Sequence, residues 1–426
     1  MNESFLHYLW QFQYFDKNDL RSTEGESISI LKIGFLNSDS GPDFADTKIR
    51  INGIEWVGTV EIHVKSSDWY LHHHEIDGAY ENVVLHVVWE NDKPVFRKDQ
   101  SLIPTLELKQ RVEESVFKAY KKLINSPSAI ACEKSFSSVD ELTKLSMLDR
   151  TLMERLEKKA NSIKEDLNSN HGDWEETGYQ LLAKNFGFKV NAEPFWQLAR
   201  ALPYKIILKQ SNLLQVEALL FGQAGMLETK TRDEYITGLF QEYHVLAQKY
   251  SLKESRLNPS QWRFLRLRPS NFPTIRIAQF ASMLYSSKNI FSQIVSANSY
   301  RTLRELISVG QSSYWNTHYR FGKKANGIVP DLGETSVQNI LINTVVPLLV
   351  AYGKYKDEQP LIDKGIEILQ QVPGEQNKIT RLWADVGLNV KTAFDSQSLI
   401  ELYNEFCQKR QCLNCLVGAT ILKPKR

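Results

Sequence analysis

The chain reads as an α+β protein in two parts, a small mixed sheet with flanking helices followed by a large all-helical region. Three observations predict this. Before about residue 107 the apolar residues fall in short alternating or continuous runs punctuated by Gly, Pro, Asn and Asp, the pattern of strands and turns. From Ser138 on, apolar spacing of three and four prevails, the period of helices with one buried face. Between them Asn125-Ser126-Pro127-Ser128 has the composition of a linker. The predicted domains are therefore 1–125 and 126–426, and a length of 426 residues suits two or three cores.

In chain order, Phe5, Leu6, Tyr8, Leu9, Trp10 and Phe12 mark a nearly buried helix over residues 2–16, with Glu3 in its first turn, where the macrodipole favours an acid. Ser27 to Gly34 alternates like a strand, and Asn37 to Pro42 is a turn cluster. Thr47 to Ile51 and Ile54 to Lys65 flank Asn52-Gly53, the strongest short-range signal for a hairpin. Asp43 then starts one strand while Glu61, His63 and Lys65 project from one face of its partner, since strand side chains alternate. Ser66-Ser67-Asp68 caps a predicted helix through Trp69 to about Tyr80, and Asn82 to Trp89 is a buried strand. A hairpin or extended edge over 92–105 and a helix from about Leu108 to Leu123 complete the first part. Further on, helices are predicted over Asp140–Leu167, Trp174–Phe186, Glu193–Leu202, Tyr204–Phe221, Thr231–Tyr250 and Thr302–Ser308.

Composition excludes several classes. At 42% apolar and 24% charged the chain is an ordinary globular protein, and a net charge of +2 gives no global signature for nucleic acid or membrane. No continuous apolar run of about 18 residues calls for a membrane span. Met1-Asn2-Glu3-Ser4 has no basic n-region, and four cysteines make no secreted disulfide framework. The expected compartment is the cytoplasm.

Two carboxylates brought together by a hairpin, with a basic side chain beside them, suit a hard divalent cation such as Mg²⁺ or Mn²⁺. Asp43 and Glu61 are the expected ligands; His63 or Lys65 would orient water or steady transition-state charge. Six of the nine histidines (His7, His63, His72, His73, His74 and His86) lie in this part. On a helix, His73 and Asp77 would share one face, as would Asp77 and Tyr80. A solvated polar face with one satisfied core histidine is the plainer account of them, and His86 suits that core role.

The order helix, strand, hairpin, helix, strand, with Pro42-Asp43 at one strand start and Glu61-x-His63 on the next, resembles the PD-(D/E)XK nuclease core. The resemblance covers about the first hundred residues and implies a metal-dependent phosphodiesterase acting on DNA or RNA. It departs at His63, where that family usually carries Lys; a mostly neutral imidazole is no fixed cation, which leaves Lys65 to stand in. Glu3 lies where some members carry an additional acid. Over nearly the whole chain, Glu217 to Gly225, Leu267 to Pro273, Tyr314-Trp315 through His318-Tyr319, Gly41 to Phe44 and Val60 to His63 resemble an uncharacterised bacterial family. That family is domain of unknown function family 2851, met largely in Bacteroidetes, and the resemblance implies no activity.

Two further constellations carry chemistry. Trp262 to Pro269 with Arg276, and Tyr314 to Lys324, interleave cations and aromatics, so they are candidate nucleic-acid contacts as well as ordinary amphipathic segments. Cys407-x4-Cys412-x2-Cys415 with remote Cys132 forms a complete four-thiolate set for zinc or an iron–sulfur cluster. It resembles the remote-plus-three pattern of some nucleases of the same class, although there the remote Cys precedes the nuclease core. Four unlinked core cysteines or a redox CxxC are the alternatives. The competing reading of the whole is a non-catalytic nucleic-acid or protein binding module on a degenerate nuclease fold. A zinc hydrolase using His63 and His72–His74 ranks below both, on a reading that credits the cluster with no HxxxH or HxH pair.

Overall fold

A computed structural model describes residues 1–37, 39–227 and 233–424. The chain divides into two compact units. The first comprises Met1–Leu148, Asp385–Gly387 and the chain from Glu401 on; the second comprises Asp149–Ala384 and Leu388–Ile400. The division thus differs from a single cut at 125/126: the Cys-bearing tail groups with the N-terminal part.

In the first unit, α1 (Glu3–Phe12) is capped by the Asn2 side chain, which accepts the Phe5 N–H at 3.2 Å. The strands are β1 (Ile28–Lys32), β2 (Phe35–Leu36), β3 (Phe44–Ile51), β4 (Ile54–Lys65), β5 (Val83–Glu90) and β6 (Thr105–Glu107). They form one mixed sheet ordered β1-β3-β4-β5-β6, with β2 also on β3. The β1/β3 and β3/β4 pairs are antiparallel, whereas β4/β5 and β5/β6 are parallel. The β3–β4 hairpin turns at Asn52 (φ 48°) and Gly53 (φ 84°), the two positive-φ positions such a turn demands, and pairs Ile51 with Ile54.

Alternation along β4 creates two differently used faces. Val60 and Ile62 enter an apolar core with Phe5, Leu9, Trp10 and Phe44, so α1 lies over that side. Glu61 and His63 are buried too, at 5% and 1% exposure, on the opposite side. The β4/β5 register sets Glu61 opposite His86. A smaller cluster of Trp69, Val83, Val95 and Ile103 closes this side.

Several elements depart from the sequence reading. The helix expected through Tyr80 stops after one turn, α2 (Asp68–Leu71). His73 adopts φ 61°, a left-handed conformation incompatible with helix continuation, and the chain re-forms only a short 3₁₀ turn at Gly78–Tyr80. The shared faces expected for His73, Asp77 and Tyr80 on one helix therefore do not exist. The helix expected from Leu108 begins later, as α3 (Glu114–Ile124), because residues 108–112 are used in turns.

The second unit is built from helices around one large core that includes Tyr179, Phe186, Phe221, Phe280 and Trp315. The Trp174–Phe186 helix has the predicted bounds, capped by Asp173. The stretch Tyr204–Phe221 splits into Tyr204–Ile207 and Leu213–Gln223, because the Asn212 side chain caps a new start through the Gln215 N–H. The helix expected over Thr231–Tyr250 is described as Glu234–Lys249, and residues 231–232 lie outside the described residues. Trp262 to Pro269 forms turns rather than a helix. One described helix, Glu334–Lys356, is long and apolar enough to cross a membrane; 72% of its apolar window is buried inside the protein, as in a core helix.

Candidate metal centre

The hairpin delivers Asp43 and Glu61 to one point. The Asp43 backbone N–H donates to Glu61 Oε2 at 3.1 Å, and Asp43 Oδ2 accepts the Ile62 N–H at 2.9 Å. His7, from α1, brings Nε2 to 3.2 Å from Asp43 Oδ2. Burial pulls the His7 pKa down, but the hydrogen bond and charge of Asp43 outweigh it and hold it above the ordinary value. Glu3, one turn earlier on α1, is itself raised by burial, against the opposing field of His72.

Three imidazoles gather on the other side of Glu61. Glu61 Oε1 lies 3.5 Å from His63 Nε2 and 3.4 Å from His74 Nε2. His63 Nε2 in turn lies 3.1 Å from His72 Nδ1. One ring nitrogen from each of His63, His72 and His74 falls within 4.8 Å of the other two. Zinc–ligand bonds of about 2.0–2.1 Å arranged tetrahedrally place donors about 3.3–3.4 Å apart, close to the Glu61–His63, Glu61–His74 and His63–His72 separations of 3.5, 3.4 and 3.1 Å. His74 Nε2 is buried and faces the Glu61 carboxylate at 3.4 Å. The donor set therefore fits a first-row divalent ion.

The end of the helix at His73 is what makes this convergence possible. By turning left-handed there the chain carries His72 and His74 over β4, while His73 itself stays exposed. Tyr80 stacks on the His74 ring at 3.7 Å, and Trp69 meets both His74 and His86 with its ring. Burial, then the charges of Glu61 and Asp43, push the Tyr80 phenol up to about 12.

Electrostatics favour neutral imidazoles at the base of the site. Burial, then the neighbouring His74, His72 and His7, lowers His63 to about 3, so it stays uncharged at neutral pH. His86, fully buried, is likewise driven well below its ordinary value by burial and by His63. Its Nε2 sits 2.9 Å from His63 Nδ1, the second ring atom whose hydrogen bond orients a ligating imidazole. Glu61 is raised, first by burial, while His74 pulls the other way.

The site thus gathers Asp43, Glu61 and His63 as the sequence predicts, and adds His7, His72, His74 and His86. Lys65 is exposed; its side chain lies near Glu90, its register partner on β5, and its backbone N–H donates to Asp68. It does not supply the cation that His63 lacks. His72 and His74, absent from the expected site, carry a readable signal: they stand in His-x-His spacing, contrary to the reading that found no such pair.

The four cysteines, none of them in a disulfide, lie near one another within the first unit. Cys407, Cys412 and Cys415 are buried and Cys132 is half-buried. Burial, then Cys415 and Cys412, pushes the Cys132 thiol up to about 12, and burial with the other three thiols raises Cys407 as well. The Cys412 thiol rises to about 11 by burial and Cys415, against the pull of Arg410. Arg410 ties the tail to the linker by donating to the carbonyls of Ser126 (2.7 Å) and Ser128 (2.8 Å).

The candidate nucleic-acid segments separate. Arg263, Arg266, Arg268, Lys323 and Lys324 are exposed, and the Arg320 guanidinium lies 4.1 Å from the Phe264 ring centre. Arg276 is buried at 6% exposure and cannot present its charge to a polymer from that surface.

No curated protein and no solved structure matches the chain. A family model described as a protein of unknown function (DUF2851) matches residues 3–378. The chain belongs to that family of proteins of unknown function.

Proposed function

We propose that the first unit is a metal-dependent phosphodiesterase acting on DNA or RNA, with Glu61, His63, His72 and His74 as its metal ligands and Asp43 beside them. The observation that carries this reading is the meeting of three imidazole nitrogens, from His63, His72 and His74, beside the buried Glu61 carboxylate, which lies 3.5 Å from His63 Nε2 and 3.4 Å from His74 Nε2. The order of α1, the antiparallel β1-β3-β4 meander and the crossover to parallel β5 supports the phosphodiester substrate, because it is the order the nuclease-core resemblance implies.

The nitrogen-rich donor set favours Zn²⁺ over Mg²⁺ and Mn²⁺, which suit oxygen ligands. A bound divalent ion would supply charge for phosphoryl oxygens and a water of lowered pKa. The chain's own groups do the rest. Asp43 is fixed by the Ile62 N–H through Oδ2, leaving Oδ1 to accept a proton from a water. His7 steadies that carboxylate, and neutral His63 acts as donor rather than cation. His72, the exposed member of the set, marks the side open to substrate.

The test is metal content of the purified chain, followed by cleavage of labelled single- and double-stranded DNA and RNA with Zn²⁺, Mn²⁺ or Mg²⁺. Wild type is run beside Glu61→Gln and His74→Ala. Bound metal with cleavage lost in both variants sustains the proposal. Bound metal without cleavage, together with salt-sensitive nucleic-acid binding unchanged in both, replaces it with a binding module on a degenerate fold.

We further propose that Cys132, Cys407, Cys412 and Cys415 hold a structural zinc ion or iron–sulfur cluster. The thiols share one neighbourhood although more than 270 residues of chain separate Cys132 from Cys407. Cysteines outside disulfides suit a reducing compartment such as the cytoplasm.

A further inference from the structure

The second unit buries an arginine with no acid beside it among the described residues. Arg276, in the first turn of the helix Pro273–Ser286, is 6% exposed. Its partners are all neutral: Nη1 donates to Gln279 Oε1 at 2.9 Å, and Nη2 to Asn271 Oδ1 at 2.6 Å and Ser336 Oγ at 3.1 Å. Nε is buried and has no partner among the described residues. The guanidinium lies 4.7 Å from the Phe188 ring centre, which offsets part of the cost of its burial but supplies no countercharge.

A buried, hydrogen-bonded charge without a counterion is the costly arrangement proteins avoid. Here the charge borders a cavity of about 280 Å³, toward the small end of ligand sites. Its walls are of two kinds. Phe186, Phe195 and Leu267 are apolar, whereas Thr335 and Asn339 bring side chains that have no hydrogen-bond partner among the described residues. Ser336 accepts from Arg276 and keeps its own hydroxyl hydrogen to donate. A cation would be repelled, and a neutral apolar molecule would leave Nε orphaned.

We propose that this cavity binds a small organic oxyanion, whose carboxylate or phosphate head meets Arg276 and whose compact apolar body lies against the aromatic wall. The head accepts from Nε and supplies the missing negative charge, with Ser336 and Asn339 as additional donors. Arginine favours such oxyanions because its planar fork matches their geometry. The site is independent of the metal centre.

The test titrates phenylacetate, phenyl phosphate and inorganic phosphate into the full chain, read by calorimetry and by thermal unfolding. Two variants accompany wild type. Arg276→Met removes the charge; Val190→Trp fills the cavity from its exposed rim without touching Arg276, and remains decisive where Arg276→Met fails to fold. The expected result is saturable binding of one or both aromatic anions at millimolar concentration or below, weakened roughly tenfold or more in each folded variant. Binding of phenylacetate alone identifies a carboxylate site, and of phenyl phosphate alone a phosphate site. Absence of saturable binding by either aromatic anion overturns the proposal, as does binding that Val190→Trp leaves unchanged. Inorganic phosphate binding as tightly as phenyl phosphate overturns the apolar half of the site.

Discussion

Asp43 and Glu61 clasp each other across the β3–β4 hairpin. The Asp43 N–H is held by the Glu61 carboxylate at 3.1 Å, while the Asp43 carboxylate holds the N–H of Ile62, the residue after Glu61, at 2.9 Å. Each acid therefore has one oxygen fixed by backbone, so their remaining oxygens are aimed by the sheet rather than by side-chain chance. Preorganised charge of this kind loses little reorganisation energy when a cation or substrate arrives.

Substituting Glu61 should separate geometry from charge. Glu61→Gln retains a carbonyl oxygen for the Asp43 N–H, so the fold should change little. The lost negative charge should lower divalent-metal affinity by tenfold or more, since ligand charge is a large part of such binding. Competition titration against a chromophoric chelator measures the affinity, and circular dichroism checks the fold. Wild-type affinity in the Gln variant would remove Glu61 from the ligand set.

The second prediction concerns His86, which touches no proposed ion but sits 2.9 Å from His63 Nδ1. Partners of this kind fix the tautomer and ring orientation of a ligating imidazole, and their loss typically costs about 10–100-fold in metal affinity. His86→Phe should show that loss while keeping the fold, because the pocket around it is walled by Trp69. His73→Asn is the matched control: asparagine tolerates the left-handed backbone at φ 61°, and the exposed side chain reaches no ligand. Equal affinity in wild type and His86→Phe would show that His63 is oriented by packing alone.

Much of this was legible in the residues, and the limits have physical causes. Asn52-Gly53 fixed the hairpin, and period-two alternation put Glu61 and His63 on one face, because both follow from local backbone chemistry. The His72–Tyr80 segment was misread as helix because its N-cap residues are good ones, and helix continuation depends on tertiary contacts that propensity does not contain. The left-handed turn at His73 lets three imidazoles meet, yet nothing in the tripeptide His72-His73-His74 demands it. Lys65 shows the opposite limit: alternation assigned its face correctly but not that the strand end has left the buried part of the sheet. Glu217 to Gly225 carried a family resemblance, and there the structural reason is plain. A Cβ on Gly222 would fall 2.1 Å from the Tyr243 ring, and Ala224 accepts the Trp262 indole N–H at 2.8 Å.

The tail cysteines lead to a third prediction. If the four thiols hold a metal as thiolates, the purified chain should carry about one equivalent of zinc, or show the visible absorption of an iron–sulfur cluster. Cys132→Ser should lose it and lower the unfolding midpoint of the first unit, since metal bound only by the native state stabilises it by mass action. Without metal, the raised pKa values of Cys132 and Cys412 should make thiol labelling slow at neutral pH and faster only under strongly alkaline conditions. Rapid labelling of all four at neutral pH in the native chain would contradict both a metal site and buried protonated thiols.

The last prediction is a pH dependence set by Glu217 in the helical unit. This carboxyl is 1% exposed; it accepts the Tyr235 hydroxyl at 3.0 Å, and that hydroxyl accepts the Trp315 indole N–H at 2.9 Å. Burial raises its pKa from 4.5 to about 7, outweighing the hydrogen bonds that favour the charged form. Because the folded value lies above the unfolded one, the native state binds the extra proton, and stability falls as pH rises between about 4.5 and 7. The contribution is fully present below that window and gone above it, with a span on the order of 3 kcal/mol. Glu217→Gln keeps an acceptor for Tyr235 and carries no charge, so it should remove this part of the slope and leave the variant the more stable of the two at pH above about 7. Denaturant unfolding of both chains at several pH values, followed by tryptophan fluorescence, measures the difference directly and cancels every group they share. A difference between wild type and variant that stays constant with pH would mean that Glu217 ionises at its ordinary pKa despite its burial.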